Sequence, residues 1–151
     1  MLINNNEAKF VGGEQGAAWS VLGEPMLCKV SSEETGGAYS IVENIVPAHD
    51  GPPPHVHGGE DEIFYVTEGE FEFMCGGRTF IAKKGDLAVC PRGIPHAFRN
   101  ITDAPGRLWI TLTPGGFEKF FEEVSRDASA MPPDVEKIKA IGRKYNLDFL
   151  I

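Results

Sequence analysis

Two of the four histidines in this 151-residue chain stand one residue apart, at His55 and His57, within the stretch PPPHVHGGEDEIF that spans residues 52–64. In an extended strand, residues i and i+2 project from one face, so the two imidazoles point the same way and come close enough to share an ion. Pro52, Pro53 and Pro54 stiffen the approach, as suits an edge or a turn. Gly58-Gly59 permits a sharp turn, and the chain returns as a strand at Glu62, whose carboxylate can offer an oxygen to the same point. A His-x-His also arises by accident in polar loops. This stretch alone therefore leaves a metal site and an ordinary turn both open.

A second stretch decides between them. In GDLAVCPRGIPHAFRN, residues 85–100, five residues separate Gly85 from Pro91, one separates Pro91 from Gly93, two precede His96 and three precede Asn100. Upstream, His55-Val-His57 is followed by four residues, Glu62, six residues and Gly69. With that spacing the sequence resembles the cupin superfamily in both of its signature motifs. The fifteen residues between Gly69 and Gly85 are similar to the short inter-motif segment of compact microbial cupins. The match has one departure: where the family's first motif opens with glycine, this chain has His49, which is read as a change at the strand entry, structural or exposed.

The resemblance implies a mainly β fold, a small double-stranded β-helix of the jelly-roll or cupin-barrel type. It implies that His55, His57, Glu62 and His96 bind one divalent transition-metal ion per chain. Three imidazoles and a carboxylate suit Fe, Mn, Ni, Co, Cu or Zn, and ligand softness does not choose between them. In an octahedral ion such a set leaves two positions for water, substrate or oxygen. The wording GPPPHVHGGEDEIFYVTEGEFEF and the C-terminal helices look like the single-domain cupins grouped with quercetin-dioxygenase-like proteins. By that analogy the chain is a metal-dependent dioxygenase of a small aromatic or enol substrate, with Glu62 as metal ligand and catalytic base. The alternatives are a non-enzymatic small-ligand binding or sensing module and a metal-dependent isomerase or epimerase of a sugar or small acid. An isomerase needs a further acid or base, for which Tyr39, Tyr65 and His49 are the visible candidates. Arg92 or Arg99 in the pocket would favour an anionic substrate, but both read as solvated surface charge. Glu60 and Asp61 read as residues of a solvated loop.

The elements that must position these groups are short and β-rich. Residues 37–46 (GAYSIVENIV), EIFYVTEGE, EFEFMCGGRTFIA, DLAVCP, HAFRNI and RLWITLTP mix β-branched and aromatic residues between Gly and Pro breaks. Phe71 and Phe73 alternate with Glu70 and Glu72, and Gly76-Gly77 suits the positive φ angles of a hairpin turn. Phe64, Phe73, Phe98, Trp109 and Ile110 are candidates to line an apolar pocket. The tail differs. In residues 115–128, Phe117, Phe120, Phe121 and Val124 recur at helical spacing, and a second helix follows Pro132-Pro133 with Val135, Ile138, Ile141 and Tyr145 on one side. The expected organisation is a barrel over residues 1–114 and a helical extension over residues 115–151, packed on the outside of the barrel or across a dimer contact.

Composition narrows the partners. A formal charge of −8 without a basic stripe argues against nucleic acid, and no apolar run approaches the ~18 residues of a membrane span. The N-terminal stretch does not read as a secretory signal. Cys28, Cys75 and Cys90 form no CxxC pair and read as free thiols in strands, which suits a cytoplasmic location. Because exposed strand edges invite pairing, a homodimer is expected. The remaining partner is a small-molecule substrate or ligand.

Overall fold

A computed structural model describes residues 7–151 of the chain. Eleven strands and two α-helices follow in the order β1 (Ala17–Val21), β2 (Glu24–Val30), β3 (Ser40–Val46), β4 (His55–His57), β5 (Asp61–Glu68), β6 (Glu70–Cys75), β7 (Arg78–Lys83), β8 (Leu87–Cys90), β9 (His96–Asn100), β10 (Gly106–Thr113), α1 (Glu118–Asp127), α2 (Val135–Lys144) and β11 (Leu147–Phe149). Two sheets face each other, one ordered β1-β2-β3-β10-β5-β8 and the other β11-β4-β9-β6-β7. This is a double-stranded β-helix with its helices at the C-terminal end. Among the described residues, no helix is long and apolar enough to cross a membrane.

Period-two alternation sets which side chains look inward. On β5, Glu62, Phe64 and Val66 are buried, while Tyr65 is exposed. On β6 the inward pair is Phe71 and Phe73, and on β10 it is the series Leu108, Ile110 and Leu112. Phe64, Phe73 and Phe98 pack edge-on or tilted against one another at centroid distances of 5.2–5.8 Å. At the β6–β7 hairpin only Gly76, at φ 61°, takes the left-handed conformation; Gly77 does not. Gly106 is required for packing: a Cβ there would lie 2.6 Å from the Phe71 ring.

Asn100 ties the loops at the end of the barrel. Its amide donates to the carbonyls of Val46, Pro47 and Ala104, and its Oδ1 accepts from the Thr102 amide and hydroxyl. His49 sits at φ 60°, a left-handed conformation that glycine adopts without a Cβ penalty. The glycine expected in this motif position is thus replaced by a residue that still takes the turn. Its exposed ring pairs with Asp103 at 2.6 Å.

The C-terminal segment holds two differences from expectation. α1 is not confined to the barrel's outer surface: it packs on β1 and α2, and Phe117, Phe120 and Phe121 turn toward the space between the sheets. α2 starts with its Asp134 side chain accepting from the Lys137 amide, and it buries Ile138 and Ile141 but leaves Val135 exposed. After α2 the chain forms β11, which pairs antiparallel with β4 and sets Phe149 opposite His55. Three residues of LDF are too short to announce a strand, and their pairing comes from the tertiary context.

Candidate metal centre

β4 is three residues long and begins and ends on a histidine, so His55 and His57 face the same way by the strand's own geometry. β9 pairs with β4 through His55 opposite His96, which brings the third imidazole alongside. Glu62 comes from β5 in the other sheet and reaches across the interior. The four side chains are all buried, and one ligand-type atom from each lies within 4.8 Å of the other three. His57 Nε2 is 2.9 Å from Glu62 Oε1, and His96 Nε2 is 3.2 Å from Glu62 Oε2.

The outer nitrogens of the rings are already committed. His55 Nδ1–H donates to the Pro53 carbonyl at 2.8 Å and His96 Nδ1–H to the Ile94 carbonyl at 3.2 Å. His57 Nδ1–H donates to Glu60 Oε1 at 2.7 Å. A carbonyl can only accept, so in the neutral rings these bonds fix the tautomer and leave Nε2 as the nitrogen with a lone pair. Metal-binding histidines are held in this way, the second nitrogen anchored to a carbonyl or carboxylate. The donor set present therefore fits a divalent transition ion.

Electrostatics in the group follow the same contacts. Burial pushes the His55 imidazolium down to about 4, against the pull of Glu62. Burial also opposes charge on His57, but the Glu62 carboxylate and the Glu60 bond outweigh it and raise the ring to about 9. Burial would raise Glu62, yet His57 and His96 hold it well below the usual carboxylate range. The carboxylate stays ionised because cationic and donor groups surround it.

The group opens onto a cavity of about 90 Å³. Of the five expected lining residues, Phe64, Phe98 and Ile110 line it. Phe73 is core behind them, and Trp109 lies on the opposite face of β10, donating to Glu43 Oε2. Phe117, Phe120, Phe121 and Phe149 supply the aromatic wall that their assignment to outer helices and tail had hidden. Arg92 pairs with Asp61, and Arg99 donates to the His49 carbonyl, so neither guanidinium lines the cavity. Tyr39, Tyr65 and His49 also lie off it. Glu60 corrects its expected place: it is buried, 8% exposed, because His57 draws it in. Three polar residues of the cavity went unnoticed in the sequence, Asp50 in the loop before β4, and Glu24 on β2 and Asn44 on β3. For the two on strands, the only local signal is a polar residue at an inward position of an alternating strand. Cys28 and Cys90 are buried, Cys75 half-buried, and all three are free thiols.

Comparison with known proteins agrees with this architecture. The cupin domain family matches residues 41–113, a span that holds all four clustered side chains. The chain is 30% identical over 82 residues to "Polyketide synthase CurC" of Streptomyces cyaneus, a match covering 54% of this chain and 53% of that one. It is 32% identical over 69 residues to "Quercetin 2,3-dioxygenase" of Bacillus subtilis, covering 46% of this chain and 20% of that protein. The chain thus spans about half, or less, of the length of these curated relatives. Among solved structures, KdgF from Halomonas sp. superposes with a TM-score of 0.66 at 18% identity, over 75% of this chain and 99% of that one. A likeness at that identity is one of fold.

Proposed function

The chain is a member of the cupin superfamily, and from that premise we propose that it holds one divalent transition-metal ion through His55, His57, Glu62 and His96 and acts as a dioxygenase of a small aromatic or enol substrate. The observation that carries the reading is the convergence of three anchored imidazoles and one carboxylate on an aromatic-lined cavity. The similarity to the Bacillus quercetin dioxygenase supports the reaction class. Bound there, the ion would supply a Lewis-acid centre that lowers the proton affinity of a substrate oxygen.

The rest of the chemistry belongs to the chain. Phe64, Phe98, Phe117 and their neighbours give a planar apolar substrate its contact area and exclude water. On this reading the Glu62 carboxylate, one of the four converging groups, also takes the hydroxyl proton of a substrate bound beside it. Glu60 and the Pro53 and Ile94 carbonyls hold the imidazoles in register while this occurs.

Metal content by mass spectrometry, on untagged protein purified without chelators, tests the site. The expected result is near one Fe, Mn, Ni, Co, Cu or Zn per chain, lost in His96→Ala. Little metal in either protein removes the enzyme reading and leaves a ligand-binding scaffold. An isomerase is a second reading with one observation behind it: Glu24 is a further carboxyl on the cavity wall. Oxygen uptake with enol substrates supports the dioxygenase. Solvent-deuterium exchange into substrate without oxygen uptake moves the assignment to the isomerase.

A further inference from the structure

We propose that Glu24 and Asn44 form a hydroxyl-recognition subsite on the cavity wall, so that the molecule taken up is a neutral, flat, apolar one carrying a hydroxyl at the end remote from the His–Glu group. The inference rests on the preceding reading for what happens at the metal end, and it names the class of ligand that the other end accepts.

Register places the two ends. Asn44 on β3 lies opposite Leu108 on β10, which lies opposite Val66 on β5. Val66 is four residues along β5 from Glu62 and faces the same way. At about 3.3 Å per residue and about 4.8 Å per strand, the Asn44 and Glu62 backbones are about 13 Å apart along the strands and about 10 Å across them. Both side chains line one cavity, so the space between them is the length of a small fused-ring molecule, walled by phenyl rings.

The polar atoms at the remote end define what they can receive. Asn44 is 2% exposed and its Nδ2 donates to Glu24 Oε2 at 3.0 Å. Its Oδ1 is buried with no hydrogen-bond partner in the protein. A buried acceptor left unmet is costly, and such atoms mark places where a ligand or water completes the set. Beside it, Glu24 is 7% exposed and has Asp50 as its other close neighbour. Burial pushes the Glu24 carboxyl up to about 8, the Asn44 bond pulling against it and the Asp50 charge adding to the rise. At neutral pH Glu24 therefore keeps its proton, and its O–H, which Asp50 can also accept, is a donor on the cavity wall.

An acceptor from Asn44 and a donor from Glu24 match one hydroxyl group, which donates to the first and accepts from the second. They do not match an anion. The lining holds the carboxyl groups of Glu24, Asp50 and Glu62 and the imidazoles of His55 and His57, but no Lys or Arg among the described residues. A carboxylate or phosphate at the remote end would face Asn44 Oδ1 and Asp50 with no balancing cation. Discrimination of this kind is large, because a site built to pair a hydroxyl is left with unmet groups by the analogue that lacks it.

Binding of 2-naphthol and of naphthalene, read by probe fluorescence at pH 7, tests the subsite on the full-length protein as purified. Metal content is measured on every sample. Wild type is expected to prefer the naphthol by about tenfold. Asn44→Leu and Glu24→Met, two near-isosteric apolar replacements, should each reduce that preference to about twofold or less while leaving naphthalene affinity and metal content in place. Glu24→Gln, which keeps a neutral donor, should restore it. A preference intact in both apolar variants overturns the subsite. A preference lost in His96→Ala but kept in both apolar variants also overturns it, since the metal end is then reading the hydroxyl, while the proposed function stands. Conversely, a preference that follows Glu24 and Asn44 in protein without metal supports the subsite and sinks the metal-dependent function. Failure of wild type to bind either probe below about 1 mM rejects the cavity as a site for this class.

Discussion

Replacing Glu24 by glutamine should make the stability of the protein less sensitive to pH, and the size of the effect follows from where Glu24 sits. The side chain is 7% exposed, and its folded-state pKa is raised from the ordinary 4.5 to about 8, chiefly by burial. An acid whose pKa is raised on folding binds its proton more tightly in the native state. Its stabilising proton is fully present in the folded state below about 4.5, and the benefit is lost as pH climbs toward about 8. Each pH unit in that window costs wild type about 1.4 kcal/mol relative to a neutral isostere. Over the window this amounts to about 4 kcal/mol at pH 8, an upper bound because water reaching an ionised Glu24 would soften it. Urea unfolding of wild type and Glu24→Gln at half-unit steps from pH 4.5 to 8.5 measures it. Titrating groups away from Glu24 cancel in the difference. The glutamine variant should gain on wild type steadily with pH and level off near 8. A difference that stays flat with pH, or that favours wild type as pH rises, would show that Glu24 is ionised in the folded protein and would refute the argument.

Other substitutions probe the site's supports. Glu60→Leu removes the partner of His57 Nδ1 without touching a ligand-type atom of the cluster; metal affinity by competition with a chromophoric chelator should fall about 10–100-fold with stoichiometry retained, and unchanged affinity would mean that Glu60 has no orienting role. Gly51→Ala would place a Cβ 1.9 Å from the Phe98 carbonyl oxygen on β9, so the backbone must move; thermal and urea unfolding should show a loss of about 3 kcal/mol or more, and a neutral result would show that the loop is free to shift. Asn100→Ala strips the loop carbonyls of Val46, Pro47 and Ala104 of a buried donor and should cost about 2–4 kcal/mol in urea unfolding.

What the sequence disclosed and what it hid divide along a physical line. His55, His57 and Glu62 were legible because strand geometry is local: a two-residue spacing puts two rings on one face whatever the rest of the chain does. His96 was legible only through the resemblance, since its approach to His55 depends on β4 pairing with β9 across some forty residues of intervening chain. Glu60 was misplaced because residue type and a Gly-rich neighbourhood suggest solvent, while a partner 2.7 Å away that exists only after folding draws it inside. α1 was found by its 3.6-residue period, but periodicity says that Phe117, Phe120 and Phe121 are buried and not against what.

Glu24 and Asn44 are the most instructive omission. Each occupies an inward position on a strand where alternation calls for an apolar residue, and each is buried beside the other. In a single sequence such a position reads as an interruption of the pattern. In the folded chain it is a conflict between burial and polarity that remains unresolved at one atom, Asn44 Oδ1. Departures of that kind are expected where a protein gives up some stability for a task. The His–Glu end of the cavity is carried by the motif residues within the cupin match, so it does not account for what distinguishes this chain's ligand. The opposite end, built from β2 and β3, combines a protonated carboxyl, an unmet amide oxygen and no balancing cation. Selectivity should therefore reside at the β2–β3 wall and reactivity at the His–Glu group, and substitutions in the two places should separate binding preference from metal content.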